Sequence, residues 1–180
     1  MKYLSKSLSD TKKFAVKLAR QLRGGEVIGL TGELGSGKTT FTQYLAATLG
    51  VKQTVNSPTF NIIKVYPIMS LRACLPAGRE CKRRGNLVIH GIASPTARND
   101  KKSIRQFVHI DAYRLRSPQE LKALGAQEYF QNKNAVTVIE WANKVKPILP
   151  KNITLIKFRL NKTSRLITIF RHWAALDREK

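Results

Sequence analysis

Two hydrophobic periods alternate along this chain. After Ser9-Asp10-Thr11, whose hydroxyls and carboxylate suit a helix N-cap, Phe14, Leu18 and Leu22 recur with Ala15 and Ala19 at helical spacing, and Gly24-Gly25 stops the pattern. Val27-Ile28-Gly29-Leu30 is a continuous apolar run that predicts a buried strand over 26–30. Phe41, Tyr44, Leu45 and Leu49 predict a second helix ending at Gly50, a favoured C-terminal residue. Further strands are predicted at 60–66 and 107–110, the latter ending at Asp111. Ser117-Pro118-Gln119-Glu120 reads as a helix start, with Leu121, Leu124 and Phe130 facing inward. Ala135–Ile139 predicts a buried strand ending in Glu140-Trp141, and Ile153–Leu160 with Arg165–Phe170 a β-hairpin around 161–164.

Strands alternating with helices imply an α/β fold: a three-layer sandwich of the P-loop NTPase type, its central sheet mostly parallel, with an antiparallel C-terminal hairpin. The 180 residues suit one domain spanning 1–180. The stretch from Pro67 to Arg105 interrupts the pattern. It has no sustained period, and its nine Lys and Arg against Glu80 and Asp100 leave it at +7. Uninterrupted loops rarely exceed about 12–15 residues, so 67–105 is read as a basic, flexible insertion with a weak strand tendency near 87–90.

Composition changes the expected partner. Lys and Arg number 33 against 11 acids, a net charge of +22, and a charge of that size points first to a polyanion such as nucleic acid. Cys74 and Cys81 have no second pair or nearby histidines to complete a zinc site, so reduced thiols are expected. The first residues lack the apolar stretch of a signal peptide, and no run approaches the ~20 apolar residues of a membrane span. A soluble, cytoplasmic protein with no membrane partner is expected.

Residues 32–39, Gly-Glu-Leu-Gly-Ser-Gly-Lys-Thr, form the G-x-x-x-x-G-K-[ST] loop between the predicted strand and helix. Gly35, Ser36 and Gly37 let successive N–H groups converge on phosphate oxygens. Lys38 adds positive charge at the β- and γ-phosphates, the Thr39 hydroxyl is placed for Mg²⁺, and the helix that begins near Lys38 turns its positive end to the same anion. Binding of a nucleoside triphosphate is expected at residues 32–40. Asp111 and Glu140 sit at C-terminal strand ends, where α/β sheets place functional groups. The run before Glu140 resembles a Walker-B strand, whose terminal acid holds Mg²⁺. Asn132-Lys133-Asn134-Ala135 lacks the aspartate that reads guanine, and Asp111-Ala112-Tyr113-Arg114 lacks the glycine of D-x-x-G, so ATP is the expected nucleotide.

Together these residues resemble the TsaE (YjeE) ATPases of bacterial tRNA threonylcarbamoyladenosine synthesis. The likeness runs through the phosphate loop to Phe41, then Ser57-Pro58-Thr59-Phe60, His109-Ile110-Asp111-Ala112-Tyr113-Arg114, Glu128-Tyr129-Phe130 and Ile139-Glu140-Trp141-Ala142. The resemblance implies that Lys38 and Thr39 act on phosphate and Mg²⁺, that Thr40 supports them, that Asp111 serves catalysis and that Glu140 binds Mg²⁺. It places Trp141 beside the nucleotide and Thr11 near the base, and it makes Ser57, Pro58 and Thr59 a switch-like segment. It also implies TsaB and TsaD as partners, tRNA reached through that complex, and a role in resetting it between turnovers. The 42 residues between Tyr66 and His109 exceed the short link expected of such relatives.

Two other readings use the same loop. A small-molecule or nucleotide kinase would need an acceptor pocket and a lid. A basic RNA-binding adaptor with a vestigial nucleotide site would bind RNA independently of ATP.

Overall fold

The computed structural model describes residues 1–58, 61–68, 104–161 and 164–177. Among these, seven strands form one sheet in the order β1-β7-β6-β2-β5-β4-β3. Its centre is parallel: β2 (Val27–Gly32) pairs with β5 (Ala135–Glu140) on one side and β6 (Thr154–Asn161) on the other, and β5 pairs with β4 (Gln106–Asp111). The edges are antiparallel. β3 (Ile63–Pro67) flanks β4, while β7 (Ser164–Phe170) flanks β6 and carries β1 (Lys2–Ser5) outside it.

Buried side chains on both faces make the sandwich. On one face α1 (Leu8–Ala19) and α2 (Lys38–Leu49) pack Phe14, Leu18, Phe41 and Leu45 onto Ile28, Leu30, Val136, Val138 and Phe158. On the other, α3 (Pro118–Ala123), α4 (Ala126–Gln131) and a 3-10 helix (Ala142–Ile148) cover Val108, Ile110, Ile139, Ile153 and Leu155. A short α5 (Trp173–Asp177) follows β7. The α/β class, the mostly parallel centre and the antiparallel C-terminal pair agree with the expectation. No helix among the described residues is long and apolar enough to cross a membrane.

Several boundaries differ. The N-cap of α1 is Ser7, not the 9–11 group: its hydroxyl accepts the Asp10 N–H at 3.1 Å, and Thr11 is buried inside the helix. The helix ends at Ala19, and Leu22 packs onto the core from beyond it. β3 begins at Ile63 because Ile62 takes a left-handed turn conformation (φ 56°), its N–H bonded to Pro58 O at 2.7 Å. β1, the 3-10 helix and α5 were not signalled. In β1 Ser5 is the buried residue and Leu4 is exposed, which inverts the usual strand pattern. The α3 start is as expected: Ser117 and Glu120 form a reciprocal capping box with Pro118 at the first position.

The expected insertion at 67–105 lies outside the described residues except at its ends, as do Cys74 and Cys81. Those ends meet. Pro67 and Gln106 are register partners, and the Ile68 N–H donates to Arg105 O at 2.8 Å. They close the β3–β4 ladder five residues before Asp111, about 17 Å along the strand.

Candidate nucleotide site

β2 delivers the chain to Gly32, and α2 starts at Lys38. The intervening loop curls through the Ser36 N–H to Glu33 O bond (3.2 Å), and the helix closes from Phe41 N–H to Gly37 O (2.9 Å). Gly37 has φ 95°, and a β-carbon there would lie 3.2 Å from Arg165 Nε. The left-handed backbone conformation favours glycine, and the Arg165 side chain laid across it would have to shift by a few tenths of an ångström to admit a β-carbon. Gly35 is exposed at the loop's turn, and Ser36 is buried beneath it.

Lys38 is buried, 4% exposed, and folds back under the loop. Its Nζ donates to Gly32 O at 3.0 Å and Glu33 O at 2.8 Å, and lies 4.1 Å from the Trp141 ring centroid. Burial pulls the Lys38 ammonium below the ordinary lysine range, and the carboxylates of Glu140 and Asp111 oppose that pull. So the cation is held in low dielectric at the loop, where it attracts an anion more strongly than an exposed lysine would.

Thr39 Oγ1 donates to Glu140 Oε2 at 2.9 Å, joining the first turn of α2 to the end of β5. Thr40 follows on the helix, half-buried. Asp111 and Glu140 are register partners across β4 and β5, so the two strand-end acids stand side by side. Asp111 Oδ1 accepts the Tyr113 N–H at 3.0 Å, and Oδ2 accepts the Ser57 hydroxyl. The next residue after Glu140, Trp141, adopts φ 58°, and its ring lies 5.1 Å from that of Tyr113. That left-handed step turns the chain off β5 into the 3-10 helix. Close packing is possible because Gly29 lies opposite: a β-carbon there would sit 2.9 Å from Ala142 Cβ and 2.8 Å from Leu155 Cδ2.

The fold thus brings Lys38, Thr39, Glu140 and Trp141 into contact, with Asp111 beside Glu140 and Ser57 on Asp111. Pro58 is buried next to Ser57, and Thr59 lies outside the described residues. Thr11 is not tied to the loop: its hydroxyl is 2.8 Å from Ser5 Oγ, at the β1–α1 junction. Arg165 and His109 were not expected as site residues, although His109 opens the motif that ends in Arg114. Arg165 reaches Gly37 from β7, and its Nε is buried without a partner among the described residues. His109 Nε2 lies 2.9 Å from Glu140 Oε1. Period-two reading of 107–111 carries the signal for His109, since it shares a strand face with Asp111. The sequence holds no comparable signal for Arg165.

Mg²⁺ suits the donor set. Thr39 and Glu140, joined at the start of α2 beside a buried lysine, would offer hard oxygens to Mg²⁺.

Known proteins share this arrangement of sequence and fold. The sequence model of the family described as "Threonylcarbamoyl adenosine biosynthesis protein TsaE" matches residues 5–75 and 81–167. A tRNA threonylcarbamoyladenosine biosynthesis protein TsaE of Treponema pallidum (strain Nichols) is 31% identical over 170 residues, covering 94% of this chain and 99% of the relative. The protein of the same description from Bacillus subtilis (strain 168) is 31% identical over 169 residues, covering 93% and 84%. The crystal structure of Bacillus subtilus YdiB superposes with a TM-score of 0.64 at 26% identity, over 99% of this chain and 89% of that one. With the match spanning most of the strands, the phosphate loop and both strand-end acids, this chain belongs to the TsaE family of threonylcarbamoyladenosine biosynthesis proteins.

Proposed function

We propose that this chain is a Mg²⁺-dependent ATPase that works with TsaB and TsaD in tRNA N6-threonylcarbamoyladenosine formation and supports their cycle between turnovers. The single observation that carries the reading is the Thr39–Glu140 hydrogen bond, which ties the phosphate loop to the Walker-B-like strand end. Bound Mg²⁺ would supply charge neutralisation at the phosphates. The chain's own residues do the rest. Loop N–H groups and Lys38 hold the phosphates, Thr39 and Glu140 offer oxygens to the cation, and Asp111 is placed to orient an attacking water. Ser57, bonded to Asp111, couples the S-P-T-F segment to that acid. Trp141, against Lys38, borders the nucleotide.

The domain organisation fits this role as a single ATPase unit, with 67–105 as an insertion departing from the sheet end remote from Asp111. Charge supports an RNA-containing assembly. From position 12 on, every exposed residue of α1 and its C-cap is a cation: Lys12, Lys13, Lys17 and Arg20. The exposed residues of α2 are Ala47 and Thr48. We place tRNA within the complex, with α1 as the face that feels its phosphates.

The test is ATP turnover of the wild-type chain, with TsaB and TsaD present and no small-molecule acceptor, together with copurification of the three proteins with and without ATP. Nucleotide-dependent association and acceptor-free phosphate release are expected. Phosphate transfer that requires a small acceptor would replace this reading with a kinase, and RNA affinity indifferent to ATP with an adaptor.

A further inference from the structure

β4 is apolar at Phe107, Val108 and Ile110 and polar at His109 and Asp111. His109 pairs with Val138 and Asp111 with Glu140, so the imidazole lies one register step beneath the two acids, on their face of the sheet. It is fully buried. Its Nε2 lies 2.9 Å from Glu140 Oε1, while its Nδ1 has no partner among the described residues. A buried imidazole whose only hydrogen bond among the described residues goes to Glu140 has a simple geometric consequence. A carboxylate oxygen that ligates a cation only accepts, so that role for Glu140 requires the proton on Nε2. Glu140 then has both oxygens committed in different directions: Oε1 to His109 inside the sheet, Oε2 to Thr39 at the phosphate loop. Rotation of the carboxylate breaks both bonds.

We propose that His109 is a positioning residue for Glu140: its Nε2–H fixes Oε1 so that Oε2 alone is presented to the cation that accompanies the nucleotide. This rests on the Mg²⁺-nucleotide reading above. Groups that orient a ligating side chain typically change metal affinity 10–100-fold when removed. The geometry also predicts selectivity. Mg²⁺ takes single carboxylate oxygens in near-ideal octahedral geometry, whereas Ca²⁺ readily takes both oxygens of one carboxylate. Freeing Oε1 therefore favours Ca²⁺ relative to Mg²⁺.

The experiment measures binding of a fluorescent ATP analogue to the full chain as a function of Mg²⁺, of Ca²⁺, and in chelator. His109→Leu should move the Mg²⁺ midpoint about 10–100-fold upward, leave affinity in chelator unchanged, and move the Ca²⁺ midpoint less. His109→Gln, whose amide can donate, should restore most of the Mg²⁺ midpoint. In a Glu140→Gln background His109→Leu should add nothing further. A wild-type Mg²⁺ midpoint in His109→Leu, an equal loss in chelator, or an effect that adds to that of Glu140→Gln overturns the proposal. ¹⁵N NMR of the wild-type imidazole supplies a readout that needs no variant to fold: a proton on Nε2 is expected, and a proton on Nδ1 alone overturns the proposal. If wild-type nucleotide binding ignores Mg²⁺ altogether, the underlying reading fails, while the NMR result still decides whether His109 holds Glu140.

Discussion

The Lys38 ammonium sits 4.1 Å from the centroid of the Trp141 ring. A cation over an indole face is attracted by the ring's quadrupole, more strongly where water is excluded. If phosphates draw Lys38 forward, the indole loses that contact. Trp141 fluorescence should therefore change on addition of Mg·ATP. Trp173 packs with the helices on the opposite face, beside Lys146, and should respond little. A Trp141→Phe protein with an undiminished signal would contradict this geometry.

Lys38→Ala removes a charge-assisted contact and should weaken ATP binding by about 1.5–3 kcal/mol, read by calorimetry. The same residue carries a pH signature. Its folded pKa lies below the unfolded value of 10.5, so the unfolded chain holds this proton more tightly. Between those two values the folded state gains stability as pH rises, and below both the burial cost is fully present. Wild type should gain on Lys38→Met as pH climbs toward 10.5 in paired thermal melts. A stability difference flat with pH would mean that burial does not perturb this amine.

In the proposed ATPase, Asp111 and Glu140 would act where charge develops, not where the base is gripped. Asp111→Asn and Glu140→Gln should lose about 10²-fold or more in turnover, as removal of a transition-state stabiliser does, while keeping much of their nucleotide affinity. Phosphate release at wild-type rates in both variants, with TsaB and TsaD present, would refute the assignment.

Gly29 leaves no room for a methyl group, since a β-carbon would meet Leu155, Ala142 and Ile153 at 2.8, 2.9 and 3.0 Å. Gly29→Ala should cost about 1–3 kcal/mol by overpacking and push the turn after Trp141 away from β2. Denaturant unfolding measures the first effect. An unchanged midpoint would mean that the 3-10 helix yields freely.

The bond from Ile68 to Arg105 brings the ends of the basic stretch together. Replacing residues 69–103 with a short turn should preserve the fold and ATP binding, because closing a shorter loop costs less entropy and the site lies at the far end of β4. Affinity for RNA at low salt should fall, since the stretch is strongly basic. An unfolded deletion protein, or resistance of that stretch to limited proteolysis, would make it part of the domain's structure.

Features that depend on neighbours along the chain can be read from residue order alone. The phosphate loop, the Gly50 helix end and the Ser117–Glu120 capping box each depend on backbone angles and hydrogen bonds spanning a few residues, so residue type at fixed spacing specifies them. The strand-end positions of Asp111 and Glu140 were legible for the same reason: hydrophobic runs stop where the sheet does. Register and packing between distant segments decided the rest. That Asp111 pairs with Glu140, that His109 bonds Glu140 and that Arg165 crosses Gly37 follows from which strands lie side by side and by how many residues they are offset. No period within one strand encodes that offset. β1 escaped notice because an edge strand with one buried serine is held by backbone pairing to β7, which leaves little mark in side-chain pattern.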